Sequence, residues 1–124
     1  MTIDWDVFRQ GWKSGGTETK CGVGSTWKRA QFMSEALATL FRKYDVQVVN
    51  DAGCGDFNWM KRVDLEGIDY LGSDIVQWSD GLPFQELNIA MEAMRNCDLI
   101  ICRDVLFHLP DDVVVETLDL FRQS

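Results

Sequence analysis

The chain has 124 residues, which is enough for one domain with a single modest hydrophobic core. Hydrophobic residues make up 46% and charged residues 26%, which is typical of an ordered globular protein and excludes extended disorder. The net charge of −8 argues against a protein that grips nucleic acid through a broad basic surface.

The four cysteines and the single histidine carry no metal-binding spacing. No C-x-x-C pair is present, so we expect no metal site, and a core of this size predicts reduced cysteines instead of a disulfide framework. The first residues lack the apolar stretch of a signal peptide, and no apolar run approaches the ~18 residues of a membrane helix. These features predict a cytoplasmic protein with no membrane partner.

Glycine-rich and polar residues dominate positions 1–24, which we interpret as an N-terminal arm or lid; a frayed terminus is the alternative. Three aromatic residues in the arm allow part of it to pack as a short helix: Trp5, Phe8 and Trp12. Residues 25–124 then form the main domain. Ser25 is a plausible N-cap for a helix that reaches about Lys43, because apolar residues recur there at helical spacing.

Four short segments follow that predict strands; the first is apolar and β-branched, the third is weaker, and the last contains an apolar run. They cover residues 46–50, 69–73, 83–87 and 98–102, with a short helix near residues 57–62. Pro110 and two aspartates then predict the first turn of a helix that reaches about Arg122. Alternating strands and helices predict an α/β fold: a Rossmann-like parallel sheet of about four strands flanked by helices.

A glycine turn follows the first predicted strand. In a sheet of this kind, ligands bind beyond the carboxyl ends of the strands, and Gly53 and Gly55 let a ligand approach the backbone closely. Asp74 lies about twenty residues downstream, where a carboxylate can accept hydrogen bonds from ribose hydroxyls. The alternative is that the two glycines only turn the chain.

The residues around this turn favour S-adenosylmethionine over a dinucleotide. Asn58 stands where the dinucleotide fingerprint needs a third glycine, and Asp56 would repel a pyrophosphate at the helix start. One mismatched charge at ~4 Å costs about 4 kcal/mol at an effective dielectric near 20. The positive sulfonium and ammonium of S-adenosylmethionine suit the acids at the strand ends, which are Asp51, Asp56, Asp74 and Asp104.

Three segments resemble motifs of class I S-adenosylmethionine-dependent methyltransferases. Residues 49–56 (VNDAGCGD) are similar to the first motif of that family, and residues 72–75 (GSDI) to the second. Residues 98–109 (DLIICRDVLFHL) resemble the strand-four motif of members that act on small molecules. The block at residues 54–60 (CGDFNWM) is similar to a bacterial and phage branch, and the likeness covers the chain from about Gly22 onward.

The resemblance implies a role for individual residues. The backbone of the turn would hold the methionine part of the cofactor through Asp51, Ala52, Gly53, Cys54 and Gly55, with Asp56 beside them. Asp74 would bind the ribose, and Ile75 would pack on the adenine. Asn88, with Ile89, would contact the adenine amino group through its side-chain oxygen. Arg103 and Asp104 would lie beside the sulfonium, and residues 22–26 would close over the methionine carboxylate.

The sequence also departs from the family. Only about nine residues separate Asp74 from Pro83, where a full helix is usual, so we expect the adenine wall on that side to be thin or replaced by Trp78. The chain stops at Ser124, before the elements that complete the seven-stranded fold, so we interpret it as an incomplete, truncated form. A bare fourth-strand edge would then favour a homo-oligomer.

Two residues are candidates for a general base toward a methyl acceptor. Asp104 and His108 lie near the predicted site, although His108 could instead cap a helix or pack in the core. The segment after the fourth strand lacks the D-P-P-Y turn of amino-group nucleobase methylation, and Cys102 does not follow a proline, so nucleobase methylation is disfavoured. Cys54 is interpreted as a small packing residue and not as a nucleophile.

The sequence therefore predicts a methyltransferase that uses S-adenosylmethionine on a small-molecule or glycan-like acceptor. The alternative is a non-catalytic module that binds the cofactor to sense or sequester it, or that a partner chain completes.

Overall fold

The fold is given by a computed structural model that describes residues 3–124, so the first two residues of the predicted arm lie outside the described part. Three α-helices form between residues 3 and 124: α1 (Trp5–Arg9), α2 (Trp27–Lys43) and α3 (Asp111–Phe121). The strands are β1 (Val48–Ala52), β2 (Asp69–Asp74), β3 (Phe84–Glu86) and β4 (Leu99–Ile101). Short 3-10 turns cover Lys13–Gly15, Val23–Ser25, Met60–Arg62 and Leu106–His108.

The four strands form one parallel sheet in the order β3-β2-β1-β4. Asp51 of β1 lies opposite Gly72 on one side and Ile101 on the other. The order of strands along the chain reverses at β1, which is where a sheet of this kind opens a crevice at its carboxyl edge. The predicted Rossmann-like α/β fold is confirmed.

Both faces of the sheet are covered. On one face, Leu37 and Phe41 of α2 pack with Val49 and Ile101 of the sheet. The opposite face is covered by a second buried cluster, which contains Ala52, Leu87, Ile89 and Met94, with Phe121 of α3 packed against it. Since side chains alternate along a strand, β1 sends Val49 and Asp51 toward the α2 face and Ala52 toward the other.

Two predicted elements have different limits. Strand β1 begins at Val48, because the Asp98 carboxylate accepts the N–H groups of Gln47 and Val48 at 2.9 and 2.8 Å and so caps the strand entry. The expected helix near residues 57–62 is only the 3-10 turn Met60–Arg62. Phe57 has a φ of 61°, a left-handed conformation in which an α-helix cannot begin.

Both long helices begin differently from the prediction. The N-cap of α2 is Thr26, not Ser25, and the first helical N–H, that of Trp27, donates to the Glu18 carboxylate at 2.6 Å. Pro110 is the N-cap of α3, so the helix begins one residue later, at Asp111. Among residues 3–124, no helix is both long enough and apolar enough to cross a membrane.

Candidate cofactor-binding site

A polar pocket opens at the carboxyl ends of the strands, as the fold predicts. Its wall combines the glycine turn after β1, the end of β2, the loop after β4 and the N-terminal arm. The predicted site residues that line it are Asp51, Gly53, Cys54, Gly55, Asp56, Asp74, Arg103, Asp104 and His108. Ala52 is fully buried on the opposite face of the sheet and is not part of this wall.

The glycine turn is held by hydrogen bonds from its own N–H groups. Gly53 and Cys54 both donate to the Ser73 carbonyl, at 2.8 and 3.1 Å. Gly55 donates to the Asp74 carboxylate at 2.9 Å, and the Asp56 N–H donates to the Cys21 sulfur at 3.3 Å. Four consecutive N–H groups are therefore directed into the protein, and a phosphate group would find none of them free.

Gly53 could not be any other residue without rearrangement. Its φ is 77°, which favours glycine, and a Cβ at this position would lie 2.5 Å from the Val105 side chain. The absence of a side chain lets the loop after β4 lie directly against the turn. Gly53 and Val105 line both this pocket and a second pocket beside it.

Asp51 is the most buried acid of the site, with 4% of its surface exposed. The Tyr70 hydroxyl donates to its carboxylate at 2.6 Å, across the position of Gly72, which has no side chain to intervene. Burial raises the pKa of Asp51 to about 7; the Tyr70 hydrogen bond lowers it and nearby Asp74 raises it further. A bound cation would restore the ionised form, so this carboxyl favours a positively charged ligand.

Asp74 connects the end of β2 to the glycine turn. One carboxylate oxygen accepts the N–H of Gly55 at 2.9 Å, and the other accepts the N–H of Ile75 at 2.8 Å. Burial raises its pKa, and the two backbone hydrogen bonds oppose that shift. Each carboxylate oxygen can accept a second hydrogen bond, so Asp74 keeps the capacity to bind a pair of hydroxyls.

A second, apolar pocket adjoins the first and shares Gly53, Asp74 and Val105 with it. Ile75, Asn88 and Ile89 line this pocket, as the resemblance implies for an adenine site. The Asn88 side-chain oxygen accepts the Ala90 N–H at 3.0 Å, so it already stabilises its own loop. The remaining apolar wall comes from Trp5, Phe8, Leu87, Ala90 and Leu109.

The position of Trp78 differs from the one that the sequence suggests. It lines the polar pocket beside the glycine turn and is not among the residues that line the apolar pocket. A Cβ at Gly11 would lie 3.3 Å from the edge of the Trp78 ring, which shows how closely this ring packs on the N-terminal arm. Trp78 therefore does not line the apolar pocket, and its place beside a bound adenine stays a prediction.

Arg103 and Asp104 form an ion pair at the pocket, with 3.3 Å between Nη1 and Oδ2. Arg103 also donates to the Gly24 carbonyl at 2.9 Å, and its guanidinium lies 5.6 Å from the centre of the Trp59 ring. Asp104 has a φ of 57°, and about half of its side chain (49%) is exposed. The ion pair offsets the positive charge of Arg103 where a cationic ligand would bind.

His108 lies at the rim of the same pocket and neither caps a helix nor packs in the core. Its ring stacks on Trp12 with centroids 5.0 Å apart and an interplanar angle of 18°. Phe107 tilts against it at 4.2 Å, and the side chain stays exposed. The imidazole is therefore accessible to a molecule that enters the pocket.

Asp56 fixes the N-terminal arm to the glycine turn. Its carboxylate accepts the Thr19 hydroxyl at 2.7 Å, the Lys20 N–H at 2.9 Å and the Asn58 N–H at 3.1 Å. In the segment expected to cover a carboxylate, the N–H of Val23 donates to Ser14 Oγ at 2.9 Å and that of Ser25 donates to Gly22. The described arm thus forms a fixed wall of the pocket here, and an opening motion stays a prediction.

The cysteines near the pocket are protonated in this environment. Burial raises the pKa of Cys21 and of Cys102 to about 12 each, and it raises the pKa of Cys54 as well. A nucleophile would need the opposite shift, so the geometry favours packing roles for all three residues. Cys97, the remaining free cysteine, is far from the turn in sequence and does not line the pocket.

Several residues of the site have no signal in the sequence strong enough to identify them. Tyr70 is one. It lies two residues before Gly72, which pairs with Asp51 on the neighbouring strand. Glu18 is another, and it joins two parts of the site by accepting from Trp27 and, at 2.7 Å, from the Asn58 amide. The sequence marks Trp12 and Phe8 only as aromatic residues of the arm.

Comparison with known proteins supports the fold. No protein-family model and no curated protein sequence matches the chain. Among solved structures, the chain is similar to magnesium protoporphyrin IX methyltransferase from Synechocystis PCC 6803, which was crystallised with bound S-adenosylmethionine. The TM-score is 0.63, over 96% of this chain and 71% of that chain, with 17% sequence identity. The chain therefore has the fold of an S-adenosylmethionine-dependent methyltransferase.

Proposed function

We propose that this protein binds S-adenosylmethionine and transfers its methyl group to a small-molecule or glycan-like acceptor. The observation that carries the proposal is the pair of adjoining pockets at the carboxyl edge of the sheet. One is apolar, and the other is lined by the carboxylates of Asp51, Asp74 and Asp104. The cofactor has the same division, with an adenosine end and a positively charged methionine end.

The apolar pocket fits the adenosine end. Ile75, Ile89 and Leu109 provide flat apolar contact for a base. Asp74 lies on the boundary between the two pockets, where its second lone pairs can accept the ribose hydroxyls. The Val105 side chain packs on Gly53 at the same boundary, so the cofactor would cross the turn over this contact.

The polar pocket fits the methionine end and disfavours a dinucleotide. The N–H groups of residues 53–56 are all engaged within the protein, so the turn offers a phosphate no donors. Asp51 and Asp74 are buried acids that gain from a nearby positive charge. Electrostatics and hydrogen bonding therefore both favour S-adenosylmethionine over a dinucleotide.

When bound, the cofactor supplies an electrophilic methyl group on a positive sulfur. The chain contributes by holding the acceptor in line with that group and by excluding water. Asp104 and His108 are the candidate general bases, since both line the pocket and both are exposed to an incoming acceptor. Arg103 positions Asp104 through their ion pair.

A non-catalytic cofactor-binding module is the second candidate. The ion pair between Arg103 and Asp104 supports it, because the guanidinium occupies a carboxylate oxygen that a general base would need for the proton of the acceptor. The stack of His108 on Trp12 fixes the orientation of the imidazole, whereas a general base must align a ring nitrogen with the proton of the acceptor. A module of this kind would bind S-adenosylmethionine without transferring its methyl group.

The experiment that separates the two candidates measures methyl transfer from labelled S-adenosylmethionine to a pool of cell metabolites. We expect labelled products, with at least a tenfold loss of rate in His108→Ala or Asp104→Ala if either residue is the base. Tyr44→Ala, an exposed aromatic at the far end of α2, is the matched control. Cofactor binding without labelled product from any fraction would favour the non-catalytic module.

A further inference from the structure

An aromatic surface borders the open side of the polar pocket. We define it as the aromatic rim, made of Phe8, Trp12, Trp78, Phe107 and His108. Trp12 is 39% exposed and Phe107 is 71% exposed, although large aromatic side chains gain by burial. A contiguous exposed patch of this kind beside a pocket marks a surface that a ligand covers.

The rim is held in place before any ligand arrives. The Trp12 N–H donates to the Lys20 carbonyl at 2.7 Å, and the Lys20 N–H donates to the Asp56 carboxylate at 2.9 Å. The Phe8 ring meets both Trp12 and His108 edge-on, with centroids 6.3 Å away in each case. The Trp12 and His108 rings stack on each other and are thereby fixed relative to the glycine turn, so a ligand ring that packs on the exposed part of Trp12 costs the protein little conformational freedom.

The polar groups around the rim are largely committed to partners within the chain. Both hydrogens of the Asn58 amide nitrogen are used, by Glu18 at 2.7 Å and by the Ser25 carbonyl at 2.9 Å. Arg103 is held by Gly24 and Asp104, and Asp56 accepts three hydrogen bonds from the arm and the turn. A sugar needs free planar polar side chains for its hydroxyls, whereas a flat aromatic ring needs ring faces, which are what the rim offers.

We propose that the acceptor is an uncharged aromatic ring compound carrying a hydroxyl or amine, packed on the exposed part of the Trp12 ring with its nucleophile directed toward the pocket floor. The acids of the site and the net charge of −8 disfavour an anionic acceptor. The inference rests on the proposed function, because it assigns the rim to the acceptor and the pocket behind it to the methyl donor. It narrows the acceptor from small molecules and glycans to aromatic rings.

The test is a calorimetric titration of protein saturated with S-adenosylhomocysteine. The probes are 2-naphthol, its saturated analogue decahydro-2-naphthol and methyl glucoside, so that the hydroxyl is kept while the aromatic system is removed. We expect 2-naphthol to bind at least tenfold more tightly than the other two probes. We also expect Trp12→Ala to weaken 2-naphthol binding about 3- to 10-fold, while Trp12→Phe restores most of the affinity.

Tyr44→Ala is the matched control, since Tyr44 is an exposed aromatic residue at the C-cap of α2, outside the pocket, and should leave 2-naphthol binding unchanged. Equal binding of the aromatic and saturated probes, tighter binding of the glucoside, or no effect of Trp12→Ala would overturn the inference. Binding of S-adenosylhomocysteine is measured first on the same samples. If it binds and 2-naphthol does not, the acceptor inference fails and the proposed function stands. If 2-naphthol binds through Trp12 and S-adenosylhomocysteine does not, the aromatic site stands and the proposed function fails.

Discussion

At Gly53, the backbone conformation and the packing of Val105 both disfavour a side chain. Replacing Gly53 with alanine places a Cβ 2.5 Å from Val105 at a φ of 77°. We expect Gly53→Ala to lower the free energy of unfolding by about 2–4 kcal/mol, because backbone strain and overpacking add. Urea denaturation measures the change.

Gly67 provides the matched control for this substitution. Its φ of 75° is nearly the same, but a Cβ there would meet nothing within 4 Å. Gly67→Ala should therefore cost only the backbone strain, about 1 kcal/mol. The double variant Gly53→Ala/Val105→Ala should lose less stability than the two single changes added together, and equal losses in both glycine variants would contradict the packing argument.

Asp51 should make stability depend on pH. Its pKa is raised from the usual value near 3.8 to about 7, so the folded state binds a proton more tightly than the unfolded state does. Stability from this group is therefore full below about pH 4 and is lost as the pH rises toward 7, by up to about 1.4 kcal/mol per pH unit. Asp51→Asn should remove that slope in urea titrations at pH 5, 6 and 7. Parallel pH curves for the variant and the wild type would rule the assignment out.

At the residue scale, the sequence identifies Asp51 and Asp74 because each lies at the carboxyl end of a predicted strand. The run before Asp51 and the run before Asp74 set the strand ends, and parallel strands bring those ends to one edge. The partner of Asp51 could not be predicted in the same way. The Tyr70–Asp51 contact depends on the register of β1 and β2, which pairs Asp51 with Gly72, two residues after Tyr70.

The N-terminal arm is the element whose position depends most on one side chain. Asp56 accepts hydrogen bonds from Thr19, Lys20 and Asn58, and hydrogen bonds to a charged group are each worth about 1.5–3 kcal/mol. Asp56→Ala should release the arm, so trypsin should cleave after Lys13 and Lys20 at least tenfold faster than in the wild type. Mass spectrometry of the first fragments reads out the sites.

Asp64→Ala controls for the loss of an acid at a loop. The Asp64 carboxylate accepts one hydrogen bond, from the Glu66 N–H at 3.0 Å, and this contact is local. Cleavage of the arm should be unchanged in this variant. If the arm of Asp56→Ala is also cut at the wild-type rate, Asp56 is not what holds it.

The N-terminal arm also explains why some features of the structure differ from the sequence predictions. Apolar periodicity predicts α2 through Lys43, but the start of the helix depends on Glu18, nine residues before Trp27. Trp78 follows β2 directly, and a local interpretation assigns it to the adenine wall. The arm, about sixty residues earlier in sequence, places it in the polar pocket instead. Contacts of this range leave no local pattern in the sequence.

For the whole molecule, the strand order leaves β4 at one edge of the sheet and β3 at the other. Free edges of parallel strands expose hydrogen-bonding groups, and α3 adds exposed apolar surface at Val115 and Leu118. We expect self-association, with a mass above 14.2 kDa in light scattering that rises with concentration. A mass of 14.2 kDa at every concentration would contradict this expectation.

The most direct measurement of the central claim is a calorimetric titration with S-adenosylmethionine and S-adenosylhomocysteine, with NAD as the comparison ligand. We expect micromolar binding of the first two, no binding of NAD, and loss of binding in Asp74→Ala. Asp69→Ala, at the start of the same strand and outside the pocket, should bind as the wild type does. Circular dichroism confirms that both variants are folded. Failure of the wild type to bind either cofactor form, or binding that Asp74→Ala leaves intact, would contradict the account.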